Sequence, residues 1–192
     1  MSDNTVRHLT REELERGLET IRQAPRVEGV LEMIVRRPQV GAREVLQEGE
    51  LHLEDGLVGD SWKVRASSRT PDRSPHPGMQ VNVMGARAAA LIAQNREHWP
   101  LAGDQLYIDF DLSAFNVPPG TWIAIGSAVI EVSEEPHTGC GKFLARFGVE
   151  AQKFVNSATG RELGLRGINA RVVQPGRIRV GDLVRKAIAG RP

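Results

Sequence analysis

The sequence predicts a mainly β fold: a small β-barrel, closed or partly open, with helices at its periphery. Three observations carry that expectation. About seven or eight short segments are apolar or alternate at strand length. Turn-forming residues punctuate them, with 20 glycines and 11 prolines among 192 residues. The helical patterns lie outside these runs, as in a barrel with helices on its surface.

The elements follow in order. Thr10 and Glu13 form a capping box, Leu9 and Leu14 a staple, and Leu14, Leu18 and Ile21 one apolar stripe. A helix is expected there, ending at Ala24-Pro25. Val27 to Arg36 reads as a strand, closed by Arg37-Pro38, and residues 43–53 as a second of mixed polarity. Residues 63–78 form a basic, proline-containing loop with Lys63, Arg65, Arg69, Arg73 and His76, either a solvated tip or an anion clamp. Met79 to Met84 alternates as a strand. Gly85 to His98 is alanine-rich and helical, with Trp99-Pro100 as its stop. Gln105 to Leu112 alternates most clearly. Leu106, Ile108, Phe110 and Leu112 should face inward, with Gln105, Tyr107, Asp109 and Asp111 outward. Thr121–Ile125 and Ala128–Ser133 form a hairpin through Gly126-Ser127, and Glu150–Asn156 is a short helical piece. Leu165–Val173 is a strand, Gln174-Pro175-Gly176-Arg177 fits a type II turn, and Ile178–Val184 returns as the last strand. Residues 1–25 are thus a helical extension and 26–192 the barrel domain.

Composition narrows the functional classes. A chain of this length buries enough surface to need no staple. Its one cysteine excludes an internal disulfide, a four-cysteine zinc site and an iron–sulfur cluster held by this chain alone. A net charge of +1 supplies no bulk field for nucleic acid or a membrane surface, so neither is an expected partner. The polar Met1-Ser2-Asp3-Asn4 start and the lack of a long apolar run point to a cytoplasmic protein.

The chemistry gathers around Glu134-Glu135-Pro136-His137-Thr138-Gly139-Cys140-Gly141-Lys142-Phe143. Phe143, Leu144 and Phe147 have the spacing of a helix, with Thr138 as its N-cap and Cys140 in its first turn. Unpaired N–H groups and the helix dipole there favour an anion, and the thiolate is both nucleophile and metal ligand. His137, Lys142 and Arg146 add positive potential. The alternative is a small buried hydrophobe. Lys142, Arg146, Arg166 and Arg171 form a basic set after the cysteine. Arg171 shares parity with Asn169 and Gly167, on a face that lines a barrel mouth or meets water. His137-x-x-Cys140 lacks the second close pair of a structural zinc site. A cysteine–histidine hydrolase using His52, His76, His98 or His137 stays formally open.

Four segments carry a resemblance. They are Ile125–Ser133, Glu135–Phe143, Arg166–Val173 and Gly176–Asp182. In order and spacing over residues 120–186 they resemble the MOSC domain, found at the C-terminus of molybdenum cofactor sulfurases and as stand-alone bacterial proteins. Gly56–Asp60 and Gln80–Met84 are weakly similar to its N-terminal motifs. The resemblance implies a β-barrel with a cysteine at its functional centre, here Cys140. That cysteine carries sulfur as a persulfide or ligates molybdenum in a molybdenum-pterin cofactor, and one implied reaction is reduction of N-hydroxylated compounds. It implies as partners an anionic small molecule or pterin and a sulfur-donor or redox protein. The set Lys142, Arg146, Arg166, Arg171, Arg69 and His137 would bind the anion. The sulfurases' pyridoxal phosphate domain is not expected within this chain. Ser61 stands where the family usually has a basic residue after Gly-Asp, and Asp104-Gln105 where it often has Glu-Asn. Both positions are implied to help hold a phosphorylated pterin. The reading set against this is a non-catalytic anion- or protein-binding barrel with a structural Cys140.

Overall fold

The computed structural model describes residues 6–188; the polar Met1–Asn4 start lies outside them. The capping box forms as expected, with Glu13 N–H donating to Thr10 Oγ1 at 3.3 Å and Thr10 N–H to Glu13 Oε2 at 2.8 Å. It starts α1 (Arg11–Arg16), which Gly17 separates from α2 (Leu18–Arg22).

The strands are β1 (Glu28–Arg36), β2 (Glu44–Leu46), β3 (Glu48–His52), β4 (Gly56–Leu57), β5 (Val81–Gly85), β6 (Leu106–Asp109), β7 (Trp122–Ile125), β8 (Ala128–Val132), β9 (Ile168–Gln174), β10 (Gly176–Arg179) and β11 (Leu183–Ala187). Seven close a barrel in the order β11-β7-β8-β9-β5-β6-β1, with β1 pairing back on β11 from Glu28↔Arg185 to Val30↔Leu183. β2 extends from the far half of β1, and β10-β3-β4 form a small side sheet. The expected barrel is therefore closed. β5 and β6 are parallel, so the chain crosses over between them through α3 (Ala86–Ala93) and a 3-10 turn at Arg96–Ala102. That crossover delivers residues 101–104 to one end of the barrel.

Two apolar layers result. Leu31, Ile34, Val83, Leu106, Ile130 and Val184 fill the barrel interior. Met33, Val35, Met84 and Tyr107 point outward and meet Leu14, Ile92, Phe143 and Phe147 of the helical layer. Gln105 and Tyr107 are accordingly fully buried, not solvent-facing. The alternation was right; the second face is covered by helices.

Other expectations change for local reasons. The single strand at 43–53 breaks at Gln47 into β2 and β3, which belong to different sheets. The alanine-rich helix stops at Ala93, because Gln94 takes φ +60°, and Trp99-Pro100 sit inside the 3-10 turn instead of ending it. The strand expected from Leu165 begins at Ile168, after Gly164 and Gly167 at φ +61° and +94°. Gly176 lacks the positive φ of a type II turn: Pro175 marks where the chain leaves the barrel for the side sheet. Gly181, at φ +95°, then divides the expected last strand into β10 and β11. The hairpin through Gly126-Ser127 forms as read.

Candidate functional site

The cysteine is presented by a helix that turns back on itself. α4 (Gly141–Asn156) runs to Gly148, whose φ of +86° breaks the axis, and then continues to Asn156. The piece expected at 150–156 is this second half, and α5 (Ala158–Glu162) follows it. Asn156 thereby returns to the start of α4. Its side chain accepts from Gly139 N–H at 2.9 Å and donates to Gly139 O at 3.0 Å, with Gln152 donating to the same carbonyl at 3.2 Å. A Cβ on Gly139 would lie 2.8 Å from Val155, so glycine is required for this seat.

Cys140 is the next residue. It is the N-cap itself, at φ −87° and ψ −179°, whereas Thr138 does not cap the helix. Its side chain makes no capping bond and is exposed. The buried-hydrophobe reading of Cys140 is overturned by that exposure.

Below the cysteine loop lies a buried polar knot. Arg166 Nη1 binds Asp104 Oδ2 at 2.7 Å, and its Nη2 donates to Ala102 O at 3.0 Å. Its guanidinium also stacks 5.1 Å above the Phe143 ring centroid. His137 Nδ1 sits 3.5 Å from Asp104 Oδ1. Arg37 clamps Asp60 in a fork, Nε–Oδ2 at 2.8 Å and Nη2–Oδ1 at 2.9 Å. Arg37 Nη1 also reaches Asn82 Oδ1 at 2.9 Å and Gly103 O at 2.6 Å. Asn82 in turn donates to Asn169 Oδ1 at 2.7 Å. Burial pushes the Asp104 carboxyl up, against the pull of Arg166 and Arg37. Burial, then Arg166 and Arg37, hold the His137 imidazole well below its usual value, so it contributes no positive charge at neutral pH.

Around this knot stand three guanidiniums without a carboxylate partner among the described residues. Arg43 donates to the carbonyls of Pro100 and Ala42 at 3.2 and 2.6 Å. Arg146 donates to Leu101 O at 2.6 Å. Arg65 places Nε and Nη2 on Ser61 Oγ at 3.0 and 2.7 Å. Arg43 loses proton affinity through burial first and then through Arg146 and Arg37. Arg65 does so through burial, then Arg37 and Arg43, with Asp60 opposing. Positive charge is thus concentrated beyond what the fold neutralises. Arg65 also answers the serine at position 61: a guanidinium reaches the Gly59-Asp60-Ser61 turn from four residues later. A cleft of about 250 Å³ opens beside it, lined by Arg37, Trp62, Arg65, Arg69, His76 and Asn82.

The residues singled out in the sequence separate into four groups. His137 and Arg146 bracket the 101–104 segment, through the His137–Asp104 and Arg146–Leu101 contacts, and Cys140 lies between them in the chain. Arg166 is committed to Asp104 inside the knot, so it shapes the site instead of offering free charge. Arg69 pairs with Glu135, just ahead of the cysteine loop. Arg171 pairs with Glu131 at 2.9 Å on the exposed outer wall, and Lys142 is exposed with no ion pair among the described residues. Sequence reasoning missed Arg37 and Arg43. Arg37 was legible only as the residue before Pro38, and Arg43 only as part of an unremarkable strand. Gln105, the other unusual position, is structural: Oε1 accepts from Asn82 N–H at 2.8 Å and Nε2 donates to Gln80 O at 3.1 Å.

Residues 101–185 match the family model of the MOSC domain. No curated protein matches this chain. The fold is similar to three solved bacterial structures. YuaD from Bacillus subtilis shares 18% identity and a TM-score of 0.56, over 82% of this chain and 94% of that one. YiiM from Escherichia coli shares 21% and 0.53, over 85% and 72%. YiiM from Geobacillus stearothermophilus shares 12% and 0.51, over 84% and 74%.

Proposed function

We propose, from the match of residues 101–185 to the MOSC family model, that the protein works through Cys140, with a guanidinium cluster that holds an anionic ligand of the molybdenum-pterin class. The observation that supports this most is the charge left unneutralised on Arg43, Arg65 and Arg146. A phosphorylated ligand would satisfy three guanidiniums that now rest on carbonyl or hydroxyl oxygens, and Arg binds phosphate in a fork that those groups cannot match. The donor set therefore fits the group. Cys140 would be its protein ligand, and the molybdenum centre would supply two-electron redox chemistry, with N-hydroxylated compounds as the substrates to be reduced. Gly139, fixed by Asn156 and Gln152, holds the thiol in place while leaving it free to bond.

The exposure of Cys140 favours a second use of the same thiol. A thiolate there can attack the outer sulfur of a donor protein's persulfide. Cys140 then carries the –S–SH group, and the donor leaves as its own thiolate. This chain has no second cysteine to resolve the persulfide as an internal disulfide.

Anaerobic purification from cells grown with ample molybdate tests both. Elemental molybdenum, pterin fluorescence and cyanide-labile sulfur are measured on wild type, Cys140→Ala and Arg65→Ala. The cofactor reading expects molybdenum and pterin in wild type and their loss in both variants. The sulfur reading expects labile sulfur that only Cys140→Ala removes. Absence of all three from wild type overturns the proposal and leaves a non-catalytic anion- or protein-binding barrel.

A further inference from the structure

We propose that the pocket bordered by His137 takes a small, apolar-bodied ligand that donates an N–H or O–H to His137 Nε2, with Asp104 holding the imidazole in the tautomer that leaves Nε2 bare. The pocket is about 430 Å³. Leu112, Val117, Val132, Val155 and Ile168 supply apolar walls, and His137 stands among its lining residues. Its size suits a small ring or short chain.

The tautomer follows from what the knot leaves unpaired. The His137 side chain is 10% exposed and that of Asp104 is fully buried. His137 Nδ1 and Asp104 Oδ1 are both buried without a hydrogen-bond partner, and they lie 3.5 Å apart. Asp104 Oδ2 is already taken by Arg166. Two facing orphans of this kind are costly unless one carries a proton toward the other. A carboxylate tied to a guanidinium can only accept, so the proton belongs on Nδ1. A neutral imidazole with Nδ1 protonated presents a lone pair at Nε2. That nitrogen is not among the buried unpartnered atoms, so it keeps the ring's access to the pocket.

The surrounding charges agree. Arg166 and Arg37 oppose a second proton on the ring, as does burial. Glu134, Glu135 and Arg161 also line the pocket. Among apolar walls, a fixed acceptor at His137 Nε2 favours a ligand that donates over its methylated analogue. This inference is independent of whether Cys140 binds molybdenum or carries sulfur.

Full-length protein labelled with ¹⁵N-histidine decides it by NMR, with phenol as the probe and anisole, which lacks the donor, as its control. The wild-type His137 signals are expected to report the Nδ1–H tautomer, unchanged from pH 8 to 5.5. Phenol should shift Nε2 and bind about fivefold tighter than anisole, the factor that one net hydrogen bond supplies. Asp104→Asn should move His137 toward the Nε2–H tautomer. An Nε2–H tautomer in wild type, or titration of His137 near the free-imidazole value, would overturn the tautomer. Equal binding of phenol and anisole, or binding of neither, would overturn the ligand class. Should Asp104→Asn fail to fold, the wild-type spectra and the two probes still decide.

Discussion

Cys140 sits at a helix N-cap without acting as one, and this separates its chemistry from the stability of the fold. Its side chain is exposed and bonded to nothing in α4. Cys140→Ala should therefore change unfolding free energy by less than about 0.5 kcal/mol while removing labile sulfur or bound metal. Urea unfolding beside sulfur analysis checks both halves. His137 behaves in the opposite way. Its folded proton affinity is depressed from the ordinary value of 6.5, so the folded chain binds fewer protons than the unfolded one as pH falls below 6.5. The stability it contributes is complete above that value and drains on acidification by up to about 1.4 kcal/mol per pH unit. Asp104, whose affinity is raised, has the opposite sign from 3.8 upward, so the part due to the imidazole is read as the difference between wild type and His137→Asn over pH 7 to 5. That variant should flatten the slope. The cysteine was legible because it is the sole one in the chain and lies between two glycines. Arg37 and Arg43 were not, because nothing local distinguishes a guanidinium that gathers with others through tertiary packing from one that faces water.

Elements were legible where a local signal outweighs context. The capping box at Thr10 and the Gly126-Ser127 hairpin are encoded in a few adjacent residues. Thr10→Ala should cost about 1 kcal/mol, read from thermal unfolding. The turn inside α4 was illegible, since apolar spacing passes through position 148 without comment. Gly148 holds φ +86°, and a Cβ there would stand 2.7 Å from the His8 ring. Gly148→Ala should cost about 1–3 kcal/mol and loosen the return of Asn156 to Gly139. Hydrogen exchange at the Gly139 amide should rise accordingly. Strand boundaries failed at Gln47 and Gly181, where one expected strand serves two sheets. Sheet membership is a long-range property that a run of residues does not contain.

At the scale of the whole molecule, the barrel closes along the β1–β11 seam. The exposed Glu28–Arg185 pair there, at 2.7 Å, contributes little, and Arg185→Ala should cost no more than about 0.5 kcal/mol. The backbone ladder and the inner core hold the seam instead. Gly29 sits in it, opposite Val184, and a Cβ would fall 2.2 Å from Asp109 O. Gly29→Ala should cost about 3 kcal/mol or more and raise the fraction of aggregated protein in light scattering, because a seam that parts exposes strand edges. The closed barrel was legible as a class from short strands and turn signals. Which two strands would meet was not, since β1 and β11 are the first and last strands among the described residues. That pairing has a consequence during synthesis. Every strand but the final one can leave the ribosome while the sheet is still a curled strip with two bare edges. Those edges stay bare until β11 pairs with β1, so the seam is the last part of the barrel to close.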